Sequence, residues 1–286
     1  MKNGIALIQI LIFSAILSML GLFFLSTSKN HIKLAQLTND RTSAFVELYG
    51  QQNALFYELL TQEKELTGLN YQGKRLNFHG EVTELSNSVK IMLNDLSSLI
   101  NLRYPNKEIL KALLVTKGLS KAEAQQLVDN LSDYQDIDNL TRFGGIEVPP
   151  SNLVKRDGPI IYEAELLFLG YSVDVFNTLS ANANIYSRGS FNPLNASEEL
   201  LVSLYGTEIK EVIVELRKKE NLSKSEFLKL TGIEEDDEVF VFPSNDLKVT
   251  FMSSFGELNL HVTKIVRFNP YVQGREKPIE ILSVKE

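Results

Sequence analysis

Residues 5–25 are 21 consecutive positions without a charged side chain, beginning four residues from the N-terminus. About 20 apolar residues suffice to cross a bilayer as a helix, so the rest of the chain has to be compatible with a membrane-spanning element at its start. A cleaved secretory signal has a shorter apolar core, with small residues at a cleavage site after it. Here the leader is minimal: Lys2 carries its charge, and the small residue, Gly4, precedes the core. An uncut single-span anchor is the plain alternative.

Beyond this run the helical pattern continues. Apolar residues recur at Ile32, Leu34, Ala35, Leu37, Phe45, Val46, Leu48, Tyr49, Leu55, Phe56, Leu59 and Leu60, with no Pro and only Gly50 between 29 and 66. Spacings of three and four predict an amphipathic helix, and Gly68 supplies a stop. A helix over 5–66 would be roughly 90 Å long. Its second part must bury its stripe against something that follows.

Two strands are predicted next. Leu76, Phe78, Gly80 and Val82 alternate with polar residues, as do Val89, Ile91 and Leu93, with Ser86-Asn87-Ser88 as the turn. From about Pro105 the pattern changes to short helices: 106–118, closed by Gly118; 120–131, with Ser120 as N-cap; then segments within 158–170, 195–204, 208–220 and 223–230. Strands return at 238–242 (EVFVF), 247–254, 257–268 and 278–286. A lone hairpin is marginally stable, so the early strands need the late ones. The economical reading is one sheet interrupted by a helical insertion; two domains in series is the alternative.

Composition excludes several function classes. The absence of Cys removes thiolate metal sites, thiol catalysis and disulfides together. A net charge of −7 argues against a general nucleic-acid binder, which needs a basic surface. Only His31, His79 and His261 are present, and no metal-type His pair, G-x-S-x-G or Gly-rich phosphate loop occurs, which argues against a hydrolase. Charges flanking the apolar run are nearly balanced, Lys2 against Lys29 and Lys33, so they do not orient it.

The N-terminus, MKNG followed by IALIQILIF, resembles type IV prepilins and type II secretion pseudopilins. The resemblance implies that a prepilin peptidase cuts after Gly4 and that the new terminus Ile5 is methylated. Most members carry Glu as the fifth mature residue, where this chain has Gln9. Four interior segments are similar to one subclass, the general secretion pathway protein K family of minor pseudopilins. They are 94–103 with Asp95 and Asn101, 133–139 with Tyr134 in place of Trp, 157–171 with its Glu-Leu, and 190–204 with Asn192, Asn195 and Ala196. At the end of the first, Arg103 stands where the family has Asn.

What the resemblance implies is an α+β pilin-like fold: a long N-terminal helix, first transmembrane and then amphipathic, a small antiparallel sheet, and a large all-α domain inserted in the sheet region. The expected divisions are a leader at 1–4, a transmembrane helix at 5–28, an amphipathic helix at 29–68, sheet at 69–95, insertion at 96–237 and sheet again at 238–286. The implied function is a structural one, as a minor pseudopilin at the tip of the type II secretion pseudopilus. Implied partners are other minor pseudopilins, the major pseudopilin, prepilin peptidase and the inner-membrane secretion platform. The implied location is the bacterial inner membrane, with one span and most of the chain in the periplasm. A tip minor pilin of a related type IV pilus, or a membrane-anchored helix-hairpin-helix binding protein, is the alternative. Gln9 suits a tip: a carboxylate there with no ammonium above it would be a lone charge in a low-dielectric core.

Three further constellations carry alternatives. Asp133, Asp136 and Asp138, with Glu147, are hard oxygen donors that suit Ca²⁺, and the resemblance also implies Ca²⁺ here. EF-hand spacing is missing, Val148, Pro149 and Pro150 replace the family's residues after the Glu, and a solvated turn explains the same acids. The acidic run 234–238 reads as a solvated turn or, second, a cation site. Residues 191–236 resemble helix-hairpin-helix DNA-binding proteins, with the hairpin at 204–209. Between 191 and 238, however, 6 Lys/Arg face 12 Asp/Glu, a balance that repels DNA, so the scaffold reads as protein packing.

Overall fold

The computed structural model describes residues 2–86, 88–146, 156–188, 190–256, 258–274 and 276–285, with side chains from residue 8 onward. Helix α1 (Lys2–Thr61) runs unbroken from the N-terminus. The large apolar side chains of its first half stand exposed, from Ile8 at 58 % to Leu25 at 68 %. Burial starts at Ala44 and continues through Leu48, Gln52, Leu55, Phe56 and Leu59, the three-and-four spacing of one helix face.

The helix stops earlier than Gly68. Gln62 N–H closes the last turn onto Glu58 O at 2.8 Å, and Glu65 and Gly68 then exchange backbone hydrogen bonds. Gly68 serves a different purpose there: a Cβ would fall 2.4 Å from the Leu76 carbonyl oxygen, so only glycine lets the two chain segments meet so closely.

Strands β1 (Leu69–Tyr71) and β2 (Lys74–Leu76) form a small hairpin. Strands β3 (His79–Glu84) and β4 (Val89–Asp95) follow. The expected single strand through Leu76, Phe78, Gly80 and Val82 is therefore two pieces. Gly80 takes φ +89° and the ladder shifts register between His79 and Val82. A bulge of this kind breaks the alternation: Phe78 is fully buried while Val82 is 52 % exposed. Of the expected turn, Asn87 lies outside the described residues.

A two-residue strand β5 (Ile100–Asn101) leads into the helical region. Helix α2 (Lys107–Thr116) is capped by Asn106, and α3 (Lys121–Gln135) by a capping box between Ser120 and Glu123. The α3 helix runs one turn beyond 131. The segment expected as a helix within 158–170 is a 3₁₀ helix over Glu163–Leu169. Helix α4 (Val173–Asn182), absent from the sequence expectation, ends in β6 (Ala183–Asn184), which pairs with β5. Helix α5 (Glu198–Arg217) is kinked at Gly206, and α6 (Lys224–Thr231) ends at Gly232 in a left-handed conformation.

EVFVF does not form a strand. One bridge, Phe191 to Val239, is all the pairing it makes among the described residues. The acidic run takes up its amides instead: Asp236 Oδ1 accepts from Glu238 N and Val239 N at 2.7 and 2.8 Å, and Glu235 Oε1 accepts from Val241 N at 3.0 Å. Side-chain bonds to nearby backbone compete with strand ladders in this way.

Strands β7 (Asp246–Phe255), β8 (Leu258–Phe268) and β9 (Ile279–Lys285) complete an antiparallel sheet of order β3-β4-β7-β8-β9. The α1 face packs on its inner side, with Leu48, Leu55, Phe56 and Leu59 against Ile91, Leu93, Val249, Phe251, Val262 and Phe268. Since β4 pairs with β7 through Asp95↔Leu247, residues 96–245 leave and return at adjacent points on one end of the sheet. They build a second core, to which Leu66 from before the sheet also contributes. The architecture is α+β and pilin-like, with the helical region inserted between neighbouring strands.

Candidate functional site

The place where the insertion joins the sheet is a buried polar neck. Asp95 ends β4, is 0 % exposed, and receives five hydrogen bonds. Its Oδ1 accepts from Ser97 N at 3.0 Å and from Ser244 N and Oγ at 3.2 and 2.6 Å. Its Oδ2 accepts from Asn192 Nδ2 at 3.0 Å and Asn195 Nδ2 at 3.1 Å. A buried carboxylate is tolerable only with such a full set of donors. The two segments singled out by Asp95 and by Asn192 and Asn195 thus meet on one carboxylate, 97 and 100 residues apart.

Around this centre stand residues that no motif marked. Asn184 Nδ2 donates to Leu96 O at 3.0 Å, while its Oδ1 accepts from Tyr186 N and Ser187 N. Asp246 takes a bidentate pair from Arg267, at 2.7 and 3.1 Å, and Arg267 also donates to Tyr186 O at 2.9 Å. Lys64 reaches in from beyond α1, donating to Ser244 O at 2.5 Å and Asn245 Oδ1 at 2.6 Å. Burial pushes the Lys64 ammonium down to about 8, with Asp95 and Asp246 pulling the other way. On the far side, His79 is pushed down to about 4 by burial and by Arg217. Arg217 is spent on the Leu194 and Ala196 carbonyls. Asn101, which the 94–103 segment did mark, joins them by donating to Ser187 O at 3.0 Å.

The other two segments also meet each other. Tyr134 donates to Glu165 Oε2 at 3.1 Å, and Glu165 Oε1 accepts from Ile161 N and Tyr162 N at 2.8 and 2.9 Å. Burial, then Glu165, raises the Tyr134 phenol. The carboxylates of both clusters are committed to amide, hydroxyl and guanidinium donors. Chemically the arrangement fixes the orientation of two modules.

The acidic loop after α3 is organised differently from a carboxylate cage. Arg142 donates its backbone N–H to Asp133 Oδ2 at 2.9 Å and its guanidinium to Asp133 Oδ1 and Asp136 Oδ2. Those bonds, to Asp136 and then Asp133, hold the guanidinium above its usual range. Asp138 Oδ1 accepts from Leu140 N at 2.8 Å. Glu147 lies outside the described residues, as do Val148, Pro149 and Pro150. Among the described residues no three His, Asp or Glu side chains converge as a metal site. Of the described donors, Asp133 has no oxygen left for a cation: Arg142 takes both.

Gly4 and Ile5 lie in α1, with side chains outside the described residues, and Gln9 is exposed on it. By length and composition α1 from Ile8 onward is able to cross a membrane. The expected hairpin at 204–209 is a single-residue kink, Gly206 at φ 79° and ψ 174°.

No protein-family profile matches the chain, and no curated protein matches it in sequence. Among solved structures, it is similar to a chain of the GspK-GspI-GspJ complex from the type 2 secretion system of enterotoxigenic Escherichia coli. The TM-score is 0.58 at 14 % identity, over 91 % of this chain and 98 % of that chain.

Proposed function

We propose that this chain is a minor pseudopilin at the tip of a type II secretion pseudopilus, with a structural role in exporting proteins across the outer membrane. The observation that carries the reading is the likeness to a chain of the GspK-GspI-GspJ complex over 91 % of this chain and 98 % of that one. In this reading prepilin peptidase cuts between Gly4 and Ile5, Ile5 is methylated, and α1 anchors the protein in the inner membrane with the remainder in the periplasm. Other minor pseudopilins are its direct partners; the major pseudopilin and the inner-membrane platform lie below.

Two features support the tip position. Gln9 lacks the carboxylate that would neutralise the terminus of a subunit above it. The insertion, 96–245, adds bulk at one end of a five-stranded sheet, where a further subunit would have to stack. The test is to label the protein on assembled fibres and to determine the N-terminus of membrane-extracted protein. Labels confined to one fibre end and a terminus at Ile5 are expected. Labels along the shaft would remove the tip assignment, and an intact Met1 would remove the pilin-type processing.

A further inference from the structure

Asp133, near the C-terminal end of α3, is 0 % exposed. A carboxylate held there needs either a full set of hydrogen-bond donors, as at Asp95, or a positive partner. Arg142 supplies it from the chain itself. Its Nη1 reaches both Asp133 Oδ1 and Asp136 Oδ2, the latter at 2.5 Å, while its backbone N–H takes the second oxygen of Asp133. Asp136 is the C-cap of α3, so the guanidinium ties the helix end to the loop six residues later.

The backbone has closed around this pair. Gly145 donates to Arg142 O at 2.9 Å. A Cβ on Gly145 would fall 1.8 Å from Asp133 Oδ2, so the main chain lies directly against the carboxylate. Ca²⁺ takes six to eight oxygen ligands. Here Asp133 has neither oxygen to spare. A guanidinium, planar and permanently charged, bridges two carboxylates in the way a point charge with few ligands cannot.

We propose that Arg142 occupies the position a divalent cation would hold in this acidic loop, so that the loop folds without metal. Removing the guanidinium then takes away the cation that Asp133 and Asp136 share, a place that a divalent cation can fill.

The experiment is thermal unfolding of the full chain in detergent, in excess CaCl₂ and in chelator, together with equilibrium dialysis against CaCl₂. Wild type is expected to melt at the same temperature in both and to retain no Ca²⁺. Arg142→Ala is expected to melt several degrees lower in chelator and to recover part of that loss in CaCl₂; Arg142→Lys, keeping the charge without the fork, should fall between. A wild-type Tm that rises with CaCl₂, or stoichiometric Ca²⁺ on the wild type, overturns the proposal. So does an Arg142→Ala Tm equal to wild type, or one that falls without recovering in CaCl₂. If Arg142→Ala fails to fold, the wild-type dialysis alone decides between the two cations.

Discussion

Asp95 and Ser244 are 149 residues apart, yet the Ser244 hydroxyl donates to Asp95 Oδ1 at 2.6 Å. Between them the chain builds an entire helical core and then returns to the strand beside the one it left. Ser244 Oγ also accepts from Asp246 N at 3.2 Å, so one hydroxyl couples the end of β4 to the start of β7. Asn192 and Asn195 add the insertion's own loop to the same carboxylate. The orientation of insertion to sheet is therefore set by directional bonds on one residue as well as by apolar contact.

Truncating that residue strands its donors. Asp95→Ala leaves two asparagine amides, a hydroxyl and two backbone N–H groups without their acceptor, several of them buried. Each buried unsatisfied group costs about 1–3 kcal/mol, so a loss of at least ~3 kcal/mol is expected. Asp95→Asn keeps one carbonyl oxygen and should lose less. Urea unfolding in detergent reads both; a cost under ~1 kcal/mol for Asp95→Ala would show that apolar packing alone holds the neck.

A second prediction concerns acid. His79 is neutral in the folded protein down to about 4, because burial and Arg217 disfavour its charged form. In the unfolded chain it binds a proton near its ordinary value of 6.5. Below 6.5 the unfolded state therefore holds the extra proton, and stability is lost as pH falls from 6.5 towards 4. The full loss is on the order of 3 kcal/mol, at about 1.4 kcal/mol per pH unit. Carboxylates titrate in the same range, so the comparison is His79→Gln against wild type. Their stability curves should diverge across that window; parallel curves would rule the effect out.

A slope of the same sign is expected in base. Lys64 is depressed to about 8, chiefly by burial. Between 8 and its ordinary 10.5 the unfolded chain keeps a proton that the folded one has shed, so stability rises with pH across that window. The span is on the order of 3 kcal/mol. Lys64→Met should abolish the rise, measured by denaturant titration at stepped pH. A rise that persists in the variant would assign it to another group.

Much of this was legible from residue patterns, and the exceptions have physical causes. The three-and-four spacing through Leu48, Leu55 and Leu59 marks the helix because one face meets one sheet. Asp95, Asn192 and Asn195 stood out as short motifs, though nothing local says that they touch. Lys64, Ser244 and Arg267 left no signal, because their partners are distant in the chain and each is an ordinary surface type. EVFVF alternates like a strand, but the acids beside it hold its amides. Helix α4 hides behind β-branched and Asn positions, Val173, Val175 and Asn177, of low helix propensity; its stability comes from burying Val175 and Leu179 in the insertion core.

The last prediction separates the two ends of α1. Phe56 is 4 % exposed and packs edge-on against Phe268, with ring centroids 5.4 Å apart, and against Phe251 at 6.4 Å. Removing such a ring opens a cavity between helix and sheet, and Phe56→Ala should cost about 3–5 kcal/mol. Leu34 lies on the same helix at 63 % exposure and Ile32 at 60 %. Leu34→Ala removes no intramolecular packing and should change stability by no more than ~0.5 kcal/mol. If α1 packs against neighbouring helices in a fibre, these exposed side chains, which lie on different sides of the helix, are among the places where they meet. Leu34→Ala, combined with Ile32→Ala, should then reduce co-purification with other minor pseudopilins while leaving the denaturation midpoint in place. Unchanged co-purification would restrict α1 to anchoring, and a lowered midpoint would mean that these side chains are covered within the monomer.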